Sequence, residues 1–151
     1  MTLTQKETSL LKDLKSAEEL CIEKYAQYAK NAKSSELRAL FESMEKTENG
    51  HKTAVCDMLA GKDPMPPSSI SNSNNQNCVA YSYANEEDRK CDAFLCQDML
   101  STEKHVSSMY DVSVFEFTAP SARKMLNHIQ SEEQQHGEQL YAYMKANGMY
   151  S

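Results

Sequence analysis

Apolar residues recur every three or four positions along four long stretches of the chain, the spacing of an amphipathic α-helix. The pattern predicts helix A over residues 4–32, helix B from Ser34 or Ser35 to about 60, helix C from Asn85 to about 116, and helix D from Pro120 to about 146. Serine and asparagine cap helix N-termini, and proline suits a first helical turn. The fold class predicted is therefore all-α.

The connections between these helices predict how they are arranged. Helices of roughly 25–30 residues are about 37–45 Å long. The short A–B and C–D connections make two antiparallel hairpins, A/B over about 4–60 and C/D over about 86–147. Residues 61–85 are long enough to cross the whole bundle, which favours a single ferritin-like four-helix domain over 1–151. Alternatively, the polar tract at 68–77 is a linker between two half-bundles that pair between chains.

The two hairpins repeat each other at an offset of 85 residues. The identical pairs are Leu10/Leu95, Asp13/Asp98, Ser16/Ser101, Glu18/Glu103, Tyr25/Tyr110, Arg38/Arg123, Glu48/Glu133 and His51/His136. A repeat of this length fixes the architecture, because each unit is one helical hairpin with the same polar residues on its inner stripe.

The repeated polar residues form an E-x-x-H motif in each hairpin, Glu48–His51 and Glu133–His136. A spacing of three puts both side chains on one helix face. Each motif follows a glutamate of the preceding helix by 30 residues, Glu18 or Glu103. Folding the hairpins brings these glutamates level with the motifs, so four carboxylates and two imidazoles are expected at one depth.

This residue set predicts a site for two divalent metal ions. Buried ionised carboxylates cost several kcal/mol each unless they are paired or bind a cation. Two divalent ions would neutralise four glutamates, and carboxylates with one imidazole per metal suit iron or manganese. Glu48 and Glu133 are expected to bridge the ions, since each shares a face with a histidine, and Glu18 and Glu103 to be terminal ligands.

Other residues on or near the stripes are open to two interpretations. Tyr25 and Tyr110 either donate hydrogen bonds to the carboxylates or fill the core. Gly50 and Gly137 either allow close helix approach or have no structural role. His105 and His128 lie off the stripes and are expected at the surface.

Composition excludes several other functions. The net charge of −6 argues against nucleic-acid binding, which needs a basic face. The apolar runs are too short to span a membrane, and the first residues do not resemble a secretion signal. We therefore expect cytoplasmic synthesis without a signal peptide. Five cysteines, an odd number without a C-x-x-C pair, predict free, mostly buried thiols.

The sequence also carries a family resemblance. The segment QDMLSTEKHVSSMYDVSVFEFTAPSARKMLNHIQSEEQQHGEQLYAYMKANGMY (97–150) resembles the Coat F domain of spore coat proteins, itself similar to the ferritin-like superfamily. The segment EELCIEKYAQYAKNAKSSELRALFESMEKTENGH (18–51) is similar to the first hairpin of the rubrerythrin branch. The resemblance implies a place in the spore coat and the same six metal ligands. A four-cysteine rubredoxin module, which would deliver electrons, is absent from the sequence.

Two functions of different classes follow from the sequence. The first is a di-iron or di-manganese protein that reacts with O2 or hydrogen peroxide, as a ferroxidase, peroxidase or catalase does. The second is a structural coat protein whose metal ions only stabilise the bundle. An iron-storage subunit is a weaker alternative. The partners expected are metal ions, O2 or hydrogen peroxide, and a second copy of the chain or other coat proteins.

Overall fold

Four α-helices make up most of the protein. The computed structural model describes residues 1–68 and 78–150, and over these residues it contains no β-strand. The helices are α1 (Gln5–Asn31), α2 (Ser35–Leu59), α3 (Glu86–Val114) and α4 (Pro120–Ala146). The all-α four-helix bundle is confirmed, with boundaries within two residues of those expected. Most of the polar tract at 68–77 lies outside the described residues.

The helices begin where local chemistry favours it. The Ser34 hydroxyl accepts a hydrogen bond from the Leu37 amide at 2.9 Å, and the Asn85 side chain accepts one from the Asp88 amide at 2.8 Å. Both contacts satisfy an amide that has no partner within its own helix. Pro120 opens α4, where its missing N–H costs nothing.

The contacts at the two ends of the bundle define the path of the chain. The amino group of Met1 donates to the Gly61 carbonyl at 2.7 Å, so α2 ends beside the start of α1. The Asp92 carboxylate accepts from the amides of Lys33 and Ser34 at 2.8 and 3.0 Å, so α3 begins at the opposite end. The connection between α2 and α3 therefore crosses the length of the bundle, as predicted. The assignment of 1–151 to one domain stays a prediction.

The buried stripes largely follow the sequence pattern. All seven positions expected on α2 are buried. On α1, Ala29 takes the buried position expected for Tyr28, whose half-buried hydroxyl donates instead to Asp98 at 2.7 Å. Two apolar clusters fill the bundle on either side of its middle, one including Leu14 and Leu126 and the other including Phe41. Polar side chains occupy the space between these clusters.

Candidate metal centre

Six polar side chains meet in the middle of the bundle, and each helix contributes at least one. They are Glu18 on α1, Glu48 and His51 on α2, Glu103 on α3, and Glu133 and His136 on α4. Their exposed fractions run from 0% to 4%. All six predicted ligands are therefore close together and sealed from solvent. Their roles as ligands stay a prediction.

The first group surrounds the Nδ1 atom of His51. This atom lies 3.0 Å from a Glu48 oxygen, 3.2 Å from a Glu133 oxygen and 3.9 Å from a Glu18 oxygen. One potential ligand atom from each of the four residues lies within 4.8 Å of the others. The group could therefore hold one metal ion with three carboxylates and one imidazole.

The second group surrounds the Nδ1 atom of His136. This atom lies 3.1 Å from a Glu48 oxygen, 3.2 Å from a Glu103 oxygen and 3.8 Å from a Glu133 oxygen. Its four potential ligand atoms also lie within 4.8 Å of one another. The donor types match those of the first group, as the sequence repeat requires.

Glu48 and Glu133 belong to both groups. Each of them directs one carboxylate oxygen toward His51 and the other toward His136. Among the groups that could hold an ion, Glu18 appears only with His51, while Glu103 appears only with His136. This division is the one that two bridging and two terminal carboxylates would need.

Several carboxylate oxygens in the cluster have no hydrogen-bond partner among the described residues. They are Glu18 Oε2, Glu103 Oε2 and both oxygens of Glu133. A buried polar atom without a partner costs about 1–3 kcal/mol, and a charged one costs more. Two divalent cations would supply the missing partners and balance the charge of the four glutamates. The residues present therefore fit a di-metal site.

The carboxylates of the cluster hold protons when no cation balances them. Burial, and then the contact with Glu48, raises the pKa of Glu18 well above its usual range. Burial and the neighbouring Glu103 raise the pKa of Glu133 in the same way. Burial would also raise the pKa of Glu48, but its bonds to both histidines outweigh burial and hold this pKa well below the usual range.

The two histidines take up protons for the converse reason. Burial lowers the pKa of His136, but hydrogen bonds to Glu103 and Glu48 outweigh it and raise the pKa to about 9. Burial likewise opposes the protonation of His51, and its carboxylate neighbours again raise its pKa well above the usual value. Metal binding at this site would therefore displace protons from imidazoles and carboxylates.

Two buried tyrosines link the hairpins through the terminal glutamates. The Tyr25 hydroxyl on α1 donates to Glu103 on α3, and the Tyr110 hydroxyl on α3 donates to Glu18 on α1. Of the two interpretations open from the sequence, the structure shows hydrogen bonding to the carboxylates. Each hairpin thus orients the terminal glutamate of the other hairpin.

An outer carboxylate, Glu132, was missed by sequence reasoning. It accepts a hydrogen bond from His51 Nε2 at 2.7 Å, which orients Nδ1 toward the inner carboxylates. The hydrogen bond from His51 lowers the pKa of Glu132. The repeat gave no signal for this residue, because the position 85 residues earlier is Thr47. His128 is less exposed than expected, with 12% of its side chain accessible, whereas His105 is exposed as predicted.

The glycines beside the histidines are not sites of close helix approach. A Cβ atom at Gly50 would meet nothing within 4 Å, and one at Gly137 would lie 3.8 Å from Leu100. Cys21 lies one turn beyond Glu18, and burial together with the surrounding carboxylates raises the pKa of its thiol. A thiol that stays protonated is a poor metal ligand, so the centre consists of oxygen and nitrogen donors.

The prediction of mostly buried cysteines is wrong. Cys21 and Cys96 are buried, Cys56 is half-buried, and Cys78 and Cys91 are exposed. Cys91 lies on the outer face of α3, and Cys78 lies outside the helices, so neither contributes to the core. All five thiols are free, as expected.

The fold and the buried cluster define a four-helix bundle with a candidate di-metal centre. Residues 91–151 match the family model of the Coat F domain, so the chain contains this domain over most of α3 and all of α4. The Coat F resemblance is thereby confirmed, and it suggests a role in the spore coat. No curated protein and no solved structure matches the chain significantly. Likeness to the ferritin-like superfamily stays a prediction.

The helices were also compared with the requirements of a membrane span. None of them within the described residues is both long and apolar enough to cross a bilayer. This agrees with the hydropathy pattern of the sequence.

Proposed function

We propose that the chain is a spore coat protein that binds two iron or manganese ions and reacts with O2 or hydrogen peroxide. The observation that carries the proposal is the pair of ligand groups sharing Glu48 and Glu133. Three carboxylates and one imidazole per ion favour iron or manganese over metals that prefer thiolates. A pair of redox-active ions would supply electrons to O2 or hydrogen peroxide, the ions being oxidised and the oxygen species reduced.

The residues of the chain would hold and isolate this metal pair. Glu48 and Glu133 connect both positions, while Tyr25 and Tyr110 fix the orientation of the terminal glutamates. The apolar clusters on either side exclude bulk water, which strengthens electrostatic interactions inside the site. The chain therefore offers a rigid and enclosed set of donors.

Metal content and reactivity test the proposal in sequence. Elemental analysis of protein purified without added metal should find iron or manganese. The metal-free protein is then loaded with Fe(II) without oxygen and mixed with O2 or hydrogen peroxide. We expect a near-ultraviolet absorbance change from oxidation of two Fe(II) ions per chain. The double variant Glu48→Gln and Glu133→Gln should lack this change, while exposed Glu138→Gln should retain it. A loaded wild-type protein with no absorbance change would refute the redox function.

A structural role is the second candidate, and the Coat F domain favours it. In that case the metal ions would only join the two hairpins, and their binding free energy would be folding free energy. The same samples distinguish the two functions. A large metal-dependent rise in melting temperature without any reaction toward O2 or peroxide would support the structural role. Association with a second copy or with other coat proteins stays a prediction.

A further inference from the structure

A cavity of about 380 Å³ lies between α2 and α4 beside the candidate metal centre. His51 lines it, and only 3% of this histidine side chain is exposed. Glu132 and His128 of α4 also line the cavity, and both are more exposed than His51. The cavity therefore places two possible metal donors between the solvent and a residue of the centre.

The donor atoms of this pair are suitably placed for a cation. One Glu132 oxygen bonds His51 Nε2 at 2.7 Å, and the other lies 3.5 Å from His128 Nε2. Metal–ligand bonds of roughly 2.0–2.2 Å allow one ion to contact donor atoms about this far apart. The cavity also has room for the water molecules that would complete the coordination of such an ion.

The entrance is open because Gly50 has no side chain. Gly50 lines the same cavity, and a Cβ atom placed there would meet nothing within 4 Å. A glycine inside a helix costs roughly 1 kcal/mol relative to alanine, so the residue is not explained by helix stability. A larger side chain would fit at this position and would narrow the entrance.

A second cavity offers an alternative route to the centre. It has a volume of about 440 Å³, lies between α3 and α4, and is lined by Glu103 and Glu133 of the centre and by Gly137. Exposed lysines line both cavities, Lys46 in the first and Lys104 in the second. Only the lining of the first adds a carboxylate and an imidazole beyond the six inner residues, and this difference favours cations.

We propose that Glu132 and His128 form an outer cation site from which divalent metal ions pass through the α2–α4 cavity to the buried centre. This inference rests on the proposed function, because it presupposes that the inner residues bind metal. The outer pair uses the same donor types as the centre, so an ion exchanges one carboxylate–imidazole environment for another. Glu132 connects the two environments, since it contacts His51 and His128 at once.

The test measures how fast Co(II) loads the full-length metal-free protein, by stopped-flow absorbance. His128→Ala removes an outer donor without touching the six inner residues, and Gly50→Leu narrows the entrance. We expect both substitutions to slow loading by roughly tenfold, since a cation site at the entrance raises the local ion concentration. The final content should stay at two Co(II) ions per chain. His105→Ala and Gly137→Leu are the matched controls and should load at the wild-type rate.

A direct titration with Mn(II) complements the rates. Wild-type protein should bind a third, weaker ion after the first two, and His128→Ala should bind two ions only. Wild-type loading rates in both His128→Ala and Gly50→Leu, or slowing by Gly137→Leu alone, would overturn this inference while leaving the proposed function intact. A wild-type protein that binds no Co(II) would overturn both.

Discussion

Replacing Glu133 with glutamine should stabilise the metal-free protein and at the same time disrupt its metal centre. Glu133 is 1% exposed, and neither of its carboxylate oxygens has a hydrogen-bond partner among the described residues. Glutamine has nearly the same shape, carries no charge, and adds an amide group that can donate to the neighbouring carboxylates. The substitution therefore removes an electrostatic penalty without leaving a cavity.

The size of the effect follows from that penalty. Each unsatisfied buried polar atom costs about 1–3 kcal/mol, so we expect the free energy of unfolding to rise by about this amount. For a chain of this length, 1 kcal/mol corresponds to roughly 2–4 °C in melting temperature. Glu138→Gln on the exposed face of α4 is the control, and it should change neither quantity measurably.

Metal binding should respond in the opposite direction. Ions held at 100 times their dissociation constant would stabilise the wild-type protein by about 2.7 kcal/mol per site. Glu133→Gln loses a carboxylate shared by both ligand groups, so most of this gain should disappear. Urea unfolding with a chelator and then with Mn(II) measures both effects. A metal-free variant no more stable than wild type, or one that still binds two ions with wild-type affinity, would refute the reasoning.

Three further predictions concern the surroundings of the centre. Tyr25→Phe and Tyr110→Phe should each lower the free energy of unfolding by about 1–3 kcal/mol, because each leaves a buried carboxylate oxygen without its donor; urea titration measures both. Asp92→Ala should speed hydrogen exchange of the Ser34 amide, which loses its acceptor, while exchange near the start of α1 stays unchanged. The melting temperature of the metal-free protein should fall between pH 6.5 and about 9, since the folded state holds the proton on His136 that the unfolded state releases. Scans with Mn(II) should instead show a stabilisation that grows with pH, because the metal displaces those protons.

The inner site was predictable because the sequence states its constraints twice. Apolar spacing located the four helices, and the offset of 85 residues put Glu48 and Glu133 in equivalent positions. A glutamate or histidine within an apolar stripe is costly, so its repetition indicated a shared purpose. The six side chains do converge, although no sequence pattern could supply their distances.

The outer residues were not predictable, because their roles depend on contacts between helices. Glu132 has the composition of an ordinary surface residue, and only the packing of α4 against α2 brings it to His51. Glu7 and Asp92 are buried for similar reasons, each accepting backbone hydrogen bonds from a distant segment. Such residues break the amphipathic pattern, and the pattern alone cannot distinguish them from solvated ones.

The exchange of hydroxyl groups between hairpins explains why the centre and the fold depend on each other. Tyr25 bonds the terminal glutamate of the second hairpin, and Tyr110 bonds that of the first. A hairpin on its own would expose its apolar stripe and would hold only half of either ligand group. Docking the hairpins buries four carboxylates at a cost that the hydroxyl groups and histidines offset only in part. Cations that complete this offset would bind the docked state alone, so metal binding and hairpin docking form one coupled equilibrium.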